Sequence, residues 1–307
     1  MPRIDYGGGL AIEAPAGMTV LEASIHHGLE HRHACGATVR CTTCRIEILE
    51  GEENCPPMTP NERDLLESSG FGLAIRLGCC LKPTGDIKIR LLVRESLDKQ
   101  DLRPEGMANE REVAVLFADI RNFTTFAEQH LAFDVLHLLN RYFDRMGTII
   151  DFNRGEVIAF LGDGIVSFFG DQDPKRSAIS ATRCAVQMLN GAHAFSRYAR
   201  EHFGFDVKVG IGIAFGPAVV GEVGYYRNSR LNCIGDVVNT ASRVQEATKE
   251  HDSSLLVTDG IRRLAKGEFK FGREFECVLR GKEGKHWLHE VMAERRRGGK
   301  RQRNLTP

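Results

Sequence analysis

The sequence predicts a two-domain chain of the α+β class, and three observations support this fold class. The 307 residues allow two domains of ordinary size. Residues 10–95 show short strands with one helix between them, whereas strands alternate with helices further along the chain, as in layered α/β domains. The intervening residues are charged and include Pro104 and Gly106. The predicted boundaries are a first domain at residues 1–94, a linker at 95–110, a second domain at 111–293 and a basic disordered tail at 294–307.

The composition argues against several classes of partner. Lys plus Arg (41) balance Asp plus Glu (41), so no net charge favours a nucleic acid or an anionic membrane. No stretch approaches the roughly 18–20 apolar residues that a membrane-spanning helix needs. The N-terminus also lacks the basic and apolar regions of a signal peptide. We therefore expect a cytoplasmic protein that binds neither nucleic acid nor membrane.

The first domain contains a capped helix and two alternating strands. Thr19 precedes the apolar-rich residues 20–25, which is typical of a helix start. Polar and apolar residues alternate over 45–50 and again over 86–91, as in half-buried strands. Gly51 ends the first of these runs, and a Pro-Thr-Gly turn precedes the second. These elements predict a small sheet with one helix against it.

The nine cysteines are many for a compartment in which disulfides are rare, and six of them lie in the first domain. Cys35, Cys41 and Cys44 form a C-x5-C-x2-C pattern on one tight loop. Three such thiolates suit an iron–sulfur cluster, whose sulfurs need backbone N–H donors. A fourth ligand comes from the neighbouring Cys79 and Cys80 further along the chain. A zinc site is the alternative, although zinc ribbons usually pair two Cys-x2-Cys knuckles and only one is present here.

Residues 4–94 resemble the plant- and adrenodoxin-type 2Fe–2S ferredoxin domain. The resemblance implies a β-grasp fold, a 2Fe–2S cluster and an electron donor such as a ferredoxin reductase. It also implies four cluster ligands, namely Cys35, Cys41, Cys44 and Cys79. Four nearby histidines are interpreted as surface residues, and the last of them is expected to lie near the cluster. They are His26, His27, His31 and His33.

Strands and helices alternate in the second domain. A buried strand is predicted at 113–118, and a helix with the 3.6-residue period is predicted at 133–151. Further predicted elements follow in chain order: strands at 157–161 and 165–169, a helix at 175–200, a strand at 207–215 and a helix at 237–248.

Two aspartates, Asp119 and Asp163, each stand at the end of an apolar strand. A hairpin beside a neighbouring strand end brings two such carboxylates together, as two Mg²⁺ or Mn²⁺ ions on a triphosphate require. Further along, Asn239 and Arg243 are spaced i and i+4 on a helix and share one face. An amide and a guanidinium on one face can orient a ribose and neutralise charge on a pentavalent phosphorus.

Together these motifs resemble the class III adenylyl/guanylyl cyclase catalytic domain across residues 111–293. The matching segments are LFADIRNFT at 116–124, GDG at 162–164, GDVVNTASR at 235–243 and, more weakly, VLRGK at 278–282. The resemblance implies an α/β domain with a mixed central sheet flanked by helices. It implies a head-to-tail homodimer, in which the Asn–Arg helix of one subunit completes the aspartate pair of the other. The implied reaction is attack of the ribose 3′-oxygen of ATP on the α-phosphorus, with loss of pyrophosphate.

The resemblance also assigns roles to individual residues. They are metal binding by Asp119, Ile120 and Asp163, phosphate contacts from Asn122, Phe123, Thr124 and Lys282, and transition-state roles for Asn239 and Arg243. The two base-reading positions, which carry Lys and Asp or Thr in adenylyl cyclases, are Ala159 and Asn232 here. Because Asn has both a donor and an acceptor, it suits adenine or guanine. We expect ATP as the substrate, with GTP or relaxed base selection as the alternative.

The fusion of the two domains suggests the leading hypothesis, a cyclase tuned by the redox or assembly state of its 2Fe–2S cluster. A linker of about 17 residues can pass a reorientation to a dimer interface, which is the kind of two-state element that regulation requires. The alternative is an electron-transfer protein whose cyclase-like domain binds nucleotide without turnover.

Overall fold

The computed structural model describes residues 1–72, 74–93, 109–225, 228–282 and 284–295. The chain divides into two compact units, Met1–Asn109 and Glu110–Pro307. Most of the predicted linker and nearly all of the predicted basic tail lie outside the described residues. No helix within the described ranges has the length and apolar character needed to cross a membrane.

The first unit is a five-stranded sheet with two α-helices. Its strands are β1 (Arg3–Asp5), β2 (Ala11–Glu13), β3 (Arg45–Glu50), β4 (Ile75–Leu77) and β5 (Ile87–Leu91), and its helices are α1 (Val20–His26) and α2 (Pro60–Ser68). The strand order is β2-β1-β5-β3-β4. Strands β1 and β5 run parallel and the other neighbours run antiparallel, so the sheet is mixed.

Local sequence explains the first helix. Thr19 Oγ1 accepts the Glu22 N–H at 3.1 Å, and the Glu22 carboxylate accepts the Thr19 N–H at 2.8 Å. This reciprocal capping box satisfies two backbone donors that a helix start leaves without partners. Ile4, Val20 and Ile46 are fully buried between the helix and the sheet. The predicted helix start and the strand at 45–50 are therefore confirmed.

A buried ion pair holds β4 against α2, and neither element was expected from the sequence. The Arg76 guanidinium donates to both carboxylate oxygens of Glu62 at 3.0 Å, and Glu62 also accepts the Leu77 N–H at 2.9 Å. Glu62 is fully buried and Arg76 is 6% exposed. Since β4 leads directly into Gly78 and Cys79, this pair fixes the approach of the chain to Cys79.

Removing one partner of this pair should destabilise the first unit. Glu62→Gln leaves the Arg76 cation buried without its counter-ion, and we expect a loss of about 3–5 kcal/mol in the free energy of unfolding. Hydrogen exchange measured by mass spectrometry should show reduced protection in α2 and β4. Glu67→Gln, which changes an exposed carboxylate on the same helix, is the control and should keep the wild-type protection. Equal protection in both variants would contradict the assignment.

The second unit is an eight-stranded sheet with helices packed against it. Its strands are β6 (Asn109–Ile120), β7 (Glu156–Leu161), β8 (Gly164–Phe169), β9 (Val209–Tyr225), β10 (Asn228–Ile234), β11 (Leu255–Thr258), β12 (Phe269–Cys277) and β13 (His286–Glu294). Its helices are α3 (Phe123–Gln129), α4 (Ala132–Phe152), α5 (Pro174–Phe203), α6 (Asp236–Glu250) and α7 (Asp259–Ala265). The main order is β12-β13-β11-β9-β6-β8-β7, and β10 pairs with β9.

Parallel and antiparallel neighbours occur in this sheet, so the α+β class and the mixed central sheet are confirmed. The long helices follow the predicted periodicity, and Gly204 ends α5 in the left-handed conformation with φ 64°. Strand β6 begins at Asn109, two residues before the predicted start of the second domain.

The predicted end of the strand at 215 is wrong, because β9 continues to Tyr225. Gly216 and Pro217 resemble a strand break in the sequence, since Pro cannot donate to a ladder. Pairing with β10, the next strand along the chain, begins beyond them with Val219 opposite Ile234, and this pairing keeps the chain extended.

Candidate active site

The fold brings the two predicted aspartates together. Asp119 is the penultimate residue of β6, and Asp163 lies in the tight turn between β7 and β8. Because β6 and β8 pair antiparallel with Ala118 opposite Ile165, the end of one strand meets the start of the other. The Ile120 N–H donates to Asp163 Oδ2 at 3.0 Å.

The glycines beside Asp163 allow this turn. Gly162 has φ 63°, a backbone conformation that side chains with a Cβ rarely adopt. A Cβ on Gly164 would lie 3.1 Å from the Leu161 carbonyl and 3.5 Å from that of Ala118. The Gly-Asp-Gly sequence therefore presents one carboxylate on a turn that larger residues would disturb.

Asp163 is harder to ionise than an ordinary aspartate. Burial, the negative charge of Asp119 and a hydrogen bond with Asp119 raise the pKa of Asp163 to about 6. Adjacent carboxylate oxygens with a nearby backbone carbonyl form the hard oxygen donor set that Mg²⁺ and Mn²⁺ prefer. By the chemistry of the donors, Asp119, Asp163 and Ile120 fit a divalent cation site.

Tyr142 of α4 lies in the core cluster beneath this edge, together with Ala118 and Ile120. It is fully buried, and its hydroxyl makes no hydrogen bond within the described part of the chain. Burial and the charges of Asp163 and Asp119 raise the pKa of the Tyr142 hydroxyl. The apolar periodicity of α4 predicts burial at this position but gives no signal that the charges of the two aspartates act on the hydroxyl.

A lysine that the motifs do not mark contacts the carboxylate pair. Lys249, near the end of α6, places its Nζ 3.3 Å from Asp119 Oδ2. The two residues are 130 positions apart in the sequence, so no local pattern could have linked them. The Lys249 ammonium neutralises part of the negative charge of Asp119 that would attract a divalent cation. The ammonium and the metal ion therefore compete for Asp119.

Removing this lysine should therefore strengthen metal binding. An ion pair as exposed as this one is worth up to about 1 kcal/mol, so we expect Lys249→Gln to bind Mn²⁺ about two- to fivefold more tightly. Electron paramagnetic resonance of free Mn²⁺ measures the affinity without nucleotide turnover. Lys266→Gln removes an exposed ammonium elsewhere in the second unit and should behave as wild type. Weaker binding by Lys249→Gln would contradict the competition.

The predicted transition-state pair lies on α6, which packs against β9 and β11. The Arg243 guanidinium pairs with the Glu246 carboxylate at 2.6 and 2.8 Å. Asn239 is exposed, and its side chain makes no hydrogen bond among the described residues. Neither side chain contacts Asp119 or Asp163 in the described ranges, so one chain does not bring the two pairs together.

The predicted phosphate-contacting residues fall in two places. Lys282 forms an ion pair with Asp236 in the first turn of α6, and it therefore lies on the Asn239 side of the site. Asn122 adopts the left-handed conformation at the start of α3 with φ 58°. Phe123 packs into the core 5.7 Å from the ring of Phe126, so only its backbone is available. Thr124 is exposed on the first turn of α3.

The predicted base-reading residues lie on β7 and β10, which contact each other. Ala159 is half-buried and packs against the cluster that contains Cys233. The side-chain oxygen of Asn232 accepts the Cys233 N–H at 2.7 Å. Its amide nitrogen is therefore the group left to face a base.

In the first unit, the structure brings two of the predicted cluster ligands close together. Cys44 and Cys79 place their sulfurs 3.5 Å apart. The sulfur of Cys80 is 3.9 Å from that of Cys79, so the choice of Cys79 over Cys80 stays a prediction. Although burial opposes it, hydrogen bonds from the Arg40 N–H, the Cys41 thiol and Thr38 lower the pKa of Cys35 to about 7.

Within the described ranges, no group of three or more His, Cys, Asp or Glu side chains is arranged to hold a metal ion. The four thiols nevertheless fit an iron–sulfur cluster by the chemistry of the donor set. The loop between them has left-handed residues at Gly36, Ala37 and Val39, a backbone conformation typical of loops that present N–H groups to anionic groups.

The interpretation of all four histidines as surface residues is wrong for one of them. His31 is 5% exposed, and its imidazole contacts Ser24 and the Cys44 carbonyl. His26 and His27 are exposed, and His33 is half-buried. The position of His31 in the loop that leads into the cysteines suggested exposure, whereas this loop packs the ring against the Cys44 carbonyl.

Comparison with known proteins places the second unit among the class III nucleotide cyclases. Residues 106–291 match the family model for the adenylate and guanylate cyclase catalytic domain. This match spans more than half of the chain, and the chain therefore belongs to that family. Residues 4–84 match the 2Fe-2S iron-sulfur cluster binding domain. Both resemblances found in the sequence are confirmed.

Two curated relatives and two solved structures illustrate the similarity. The terminal-differentiation specific adenylate cyclase of Dictyostelium discoideum is 33% identical over 168 residues, which are 52% of this chain and 8% of that protein. The adenylate cyclase of Anabaena cylindrica is 32% identical over 195 residues, or 61% of this chain and 38% of that protein. This chain thus spans less than two fifths of their length.

In the two solved structures, the match to this chain covers almost the whole of the solved chain. The adenylyl cyclase CyaB from P. aeruginosa is 26% identical with a TM-score of 0.57, and the match covers 62% of this chain and 99% of that one. The guanylyl cyclase Cya2 is 23% identical with a TM-score of 0.58, covering 63% and 97%. The second of these shows the shared fold alone.

Proposed function

We propose that the chain converts ATP to 3′,5′-cyclic AMP and pyrophosphate. The observation that carries the proposal is the adjacency of Asp119 and Asp163 at the edge of the sheet in a member of the cyclase family. Two divalent cations, when bound, would lower the pKa of the ribose 3′-hydroxyl and neutralise charge on the triphosphate. Asp119 and Asp163 would hold them, together with the Ile120 carbonyl.

The chain's own groups would orient the nucleotide. The backbone N–H groups of residues 122–124 would face the phosphates, since the first turn of a helix leaves N–H groups without partners. Asn239 would orient the ribose, and Arg243 and Lys282 would neutralise charge that develops on the phosphate oxygens. In the structure both cations have acidic partners, Glu246 and Asp236, which they would exchange for phosphate.

We propose that the active form is a head-to-tail homodimer. The aspartate pair and the Asn239–Arg243 pair do not meet within one chain, so a second copy would have to supply the missing half. Three large apolar side chains of the paired strands β9 and β10 share one face of the sheet, are 42–58% exposed and offer a surface for that copy. They are Val219, Val223 and Ile234.

Base selection should be weak. Ala159 offers no hydrogen bond, and Asn232 offers an amide that suits either purine. One polar group discriminates by about 1–3 kcal/mol, so we expect kcat/KM for ATP to exceed that for GTP by no more than about a hundredfold. Steady-state rates with each nucleotide and Mn²⁺ measure the ratio. A ratio far above that range would show that another residue reads the base, and a preference for GTP would favour guanylyl cyclase activity.

We propose that the 2Fe–2S cluster regulates turnover through its redox or assembly state. The cluster, when bound, supplies one-electron redox chemistry, and an electron donor such as a ferredoxin reductase would set its state. We place the reaction in the cytoplasm, a reducing compartment in which disulfides are rare and cysteine sulfurs stay available to a cluster. Cyclic AMP formation by oxidised, dithionite-reduced and cluster-free protein tests the coupling. Equal rates in all three states would contradict it.

The second candidate is an electron-transfer protein whose cyclase domain binds nucleotide without turnover, and Ala159 and Asn232 favour it. Identification of the products from ATP and Mn²⁺ by mass spectrometry distinguishes the two. Cyclic AMP with pyrophosphate supports the cyclase. Bound but unchanged ATP supports the second candidate.

A further inference from the structure

A buried chain of hydrogen bonds ends at the backbone of Cys44, one of the proposed cluster ligands. The Tyr6 hydroxyl lies 2.7 Å from Ser24 Oγ, which lies 2.9 Å from His31 Nδ1. His31 Nε2 lies 3.1 Å from the Cys44 carbonyl oxygen. Tyr6 is 6% exposed, Ser24 is fully buried and His31 is 5% exposed, so water does not compete for these bonds.

The direction of these bonds follows from the chemistry of the groups. A carbonyl only accepts, so Nε2 of His31 carries the hydrogen and donates to Cys44. The Ser24 hydroxyl has one hydrogen and two acceptors within reach, the Val20 carbonyl oxygen at 2.7 Å and His31 Nδ1 at 2.9 Å. Ser24 in turn accepts from Tyr6. Contacts at both ring nitrogens therefore fix the orientation of the His31 ring, with the Nε2 hydrogen directed at the Cys44 carbonyl.

The ring also fills the space beside Gly78, the residue that precedes Cys79. A Cβ at position 78 would lie 2.6 Å from His31 Cε1 and 3.0 Å from the Cys44 carbonyl oxygen. The Gly78 N–H donates to that same oxygen at 2.9 Å. The Cys44 carbonyl thus receives one donor from His31 and one from the Cys79 segment, at the point where the two sulfurs are 3.5 Å apart.

We propose that His31 is a positioning residue for the iron–sulfur cluster, because it ties the Cys44 and Cys79 segments together and raises the cluster's reduction potential. The hydrogen of the His31 Nε2–H bond, which is the positive end of its dipole, is directed at the Cys44 segment. This dipole stabilises the extra negative charge of the reduced cluster. The inference rests on the cluster of the proposed function and does not depend on nucleotide turnover.

The test compares four variants of the full chain, purified anaerobically, by visible absorption, electron paramagnetic resonance and redox titration. His31→Leu removes the donor, whereas His31→Gln keeps an N–H in reach of the Cys44 carbonyl. Ser24→Ala keeps the ring but removes its Nδ1 partner. His27→Leu is the matched control, because His27 is an exposed imidazole that contacts the carbonyl of Glu13 at 3.0 Å, away from the cysteines.

At a fixed ambient potential, we expect the ratio of reduced to oxidised cluster to be about fivefold lower in His31→Leu than in wild type. This is the factor by which the loss of one net hydrogen bond changes an equilibrium. Ser24→Ala should shift the ratio in the same direction by less. His31→Gln should stay near wild type, and His27→Leu should match it. Cluster loss in His31→Leu with retention in His31→Gln also supports positioning.

A full cluster in His31→Leu with wild-type potential and spectrum would overturn this inference alone. If both His31 variants lose the cluster, the test is the reduction potential of the cluster in Ser24→Ala. A wild-type potential in that variant overturns the inference. A wild-type chain without the iron–sulfur absorption would overturn the proposed cluster as well.

Discussion

Replacing Asp163 with asparagine is expected to lower kcat for cyclic AMP formation by about 10²–10³-fold or more, since a preorganised charge in the site is lost. The same change should make the metal-free protein more stable at neutral pH, because it removes a buried negative charge beside Asp119. A variant that loses activity and gains stability shows that Asp163 acts in the site, because a residue needed for folding would lose stability when it is replaced. Asp144→Asn, on the exposed face of α4, should leave both quantities unchanged.

The pH dependence of this stability has a definite sign. The pKa of Asp163 is raised from 3.8 to about 6 in the folded chain by burial and by Asp119. The folded state therefore binds the proton more tightly than the unfolded state does, and stability falls as pH rises from about 4 to about 6. The difference in unfolding free energy between Asp163→Asn and wild type should grow over this interval and level off above it. A variant that is active, or less stable than wild type at pH 7, would contradict the account.

Mixing two inactive variants is expected to restore activity. The double variant Asp119→Asn, Asp163→Asn lacks the carboxylate pair, and Asn239→Ala, Arg243→Ala lacks the other half of the site. In a symmetric dimer with two sites, an equimolar mixture that exchanges freely contains half heterodimers, each with one intact site, so about a quarter of wild-type activity should return. Native mass spectrometry confirms exchange. No recovery in a mixture that contains heterodimers would contradict the shared site.

The sequence predicted those parts of the fold that local patterns determine. The alternation at 45–50 and the periodicity at 133–151 each correspond to an element that buries one face. The helix α2 does carry a local start signal, an N-cap at Thr59 followed by Pro60, which the sequence analysis missed. The three-residue strand β4 carries none, and the buried Glu62–Arg76 pair sets its position. The continuation of β9 past Pro217 depends on its pairing with the next strand, β10, which the Gly-Pro sequence does not reveal.

The residues of the candidate sites likewise fall into two groups, those that a local sequence pattern marks and those that only the fold brings together. Asp119 and Asp163 stand out because each ends an apolar run at a turn, which a sequence displays directly. The Lys249 contact with Asp119 and the His31 contact with Cys44 join residues that only tertiary packing brings together. Asn239 and Arg243 were recognisable from their spacing, but one chain alone does not show what they face.

The most direct test of the central claim is product formation by the anaerobically purified full chain, supplied with ATP or GTP and Mn²⁺ while its visible spectrum is recorded. The account predicts cyclic AMP and pyrophosphate in equal amounts, a lesser rate with GTP, and the absorption of a 2Fe–2S cluster in the same sample. Bound nucleotide with no cyclic product from either substrate would contradict it.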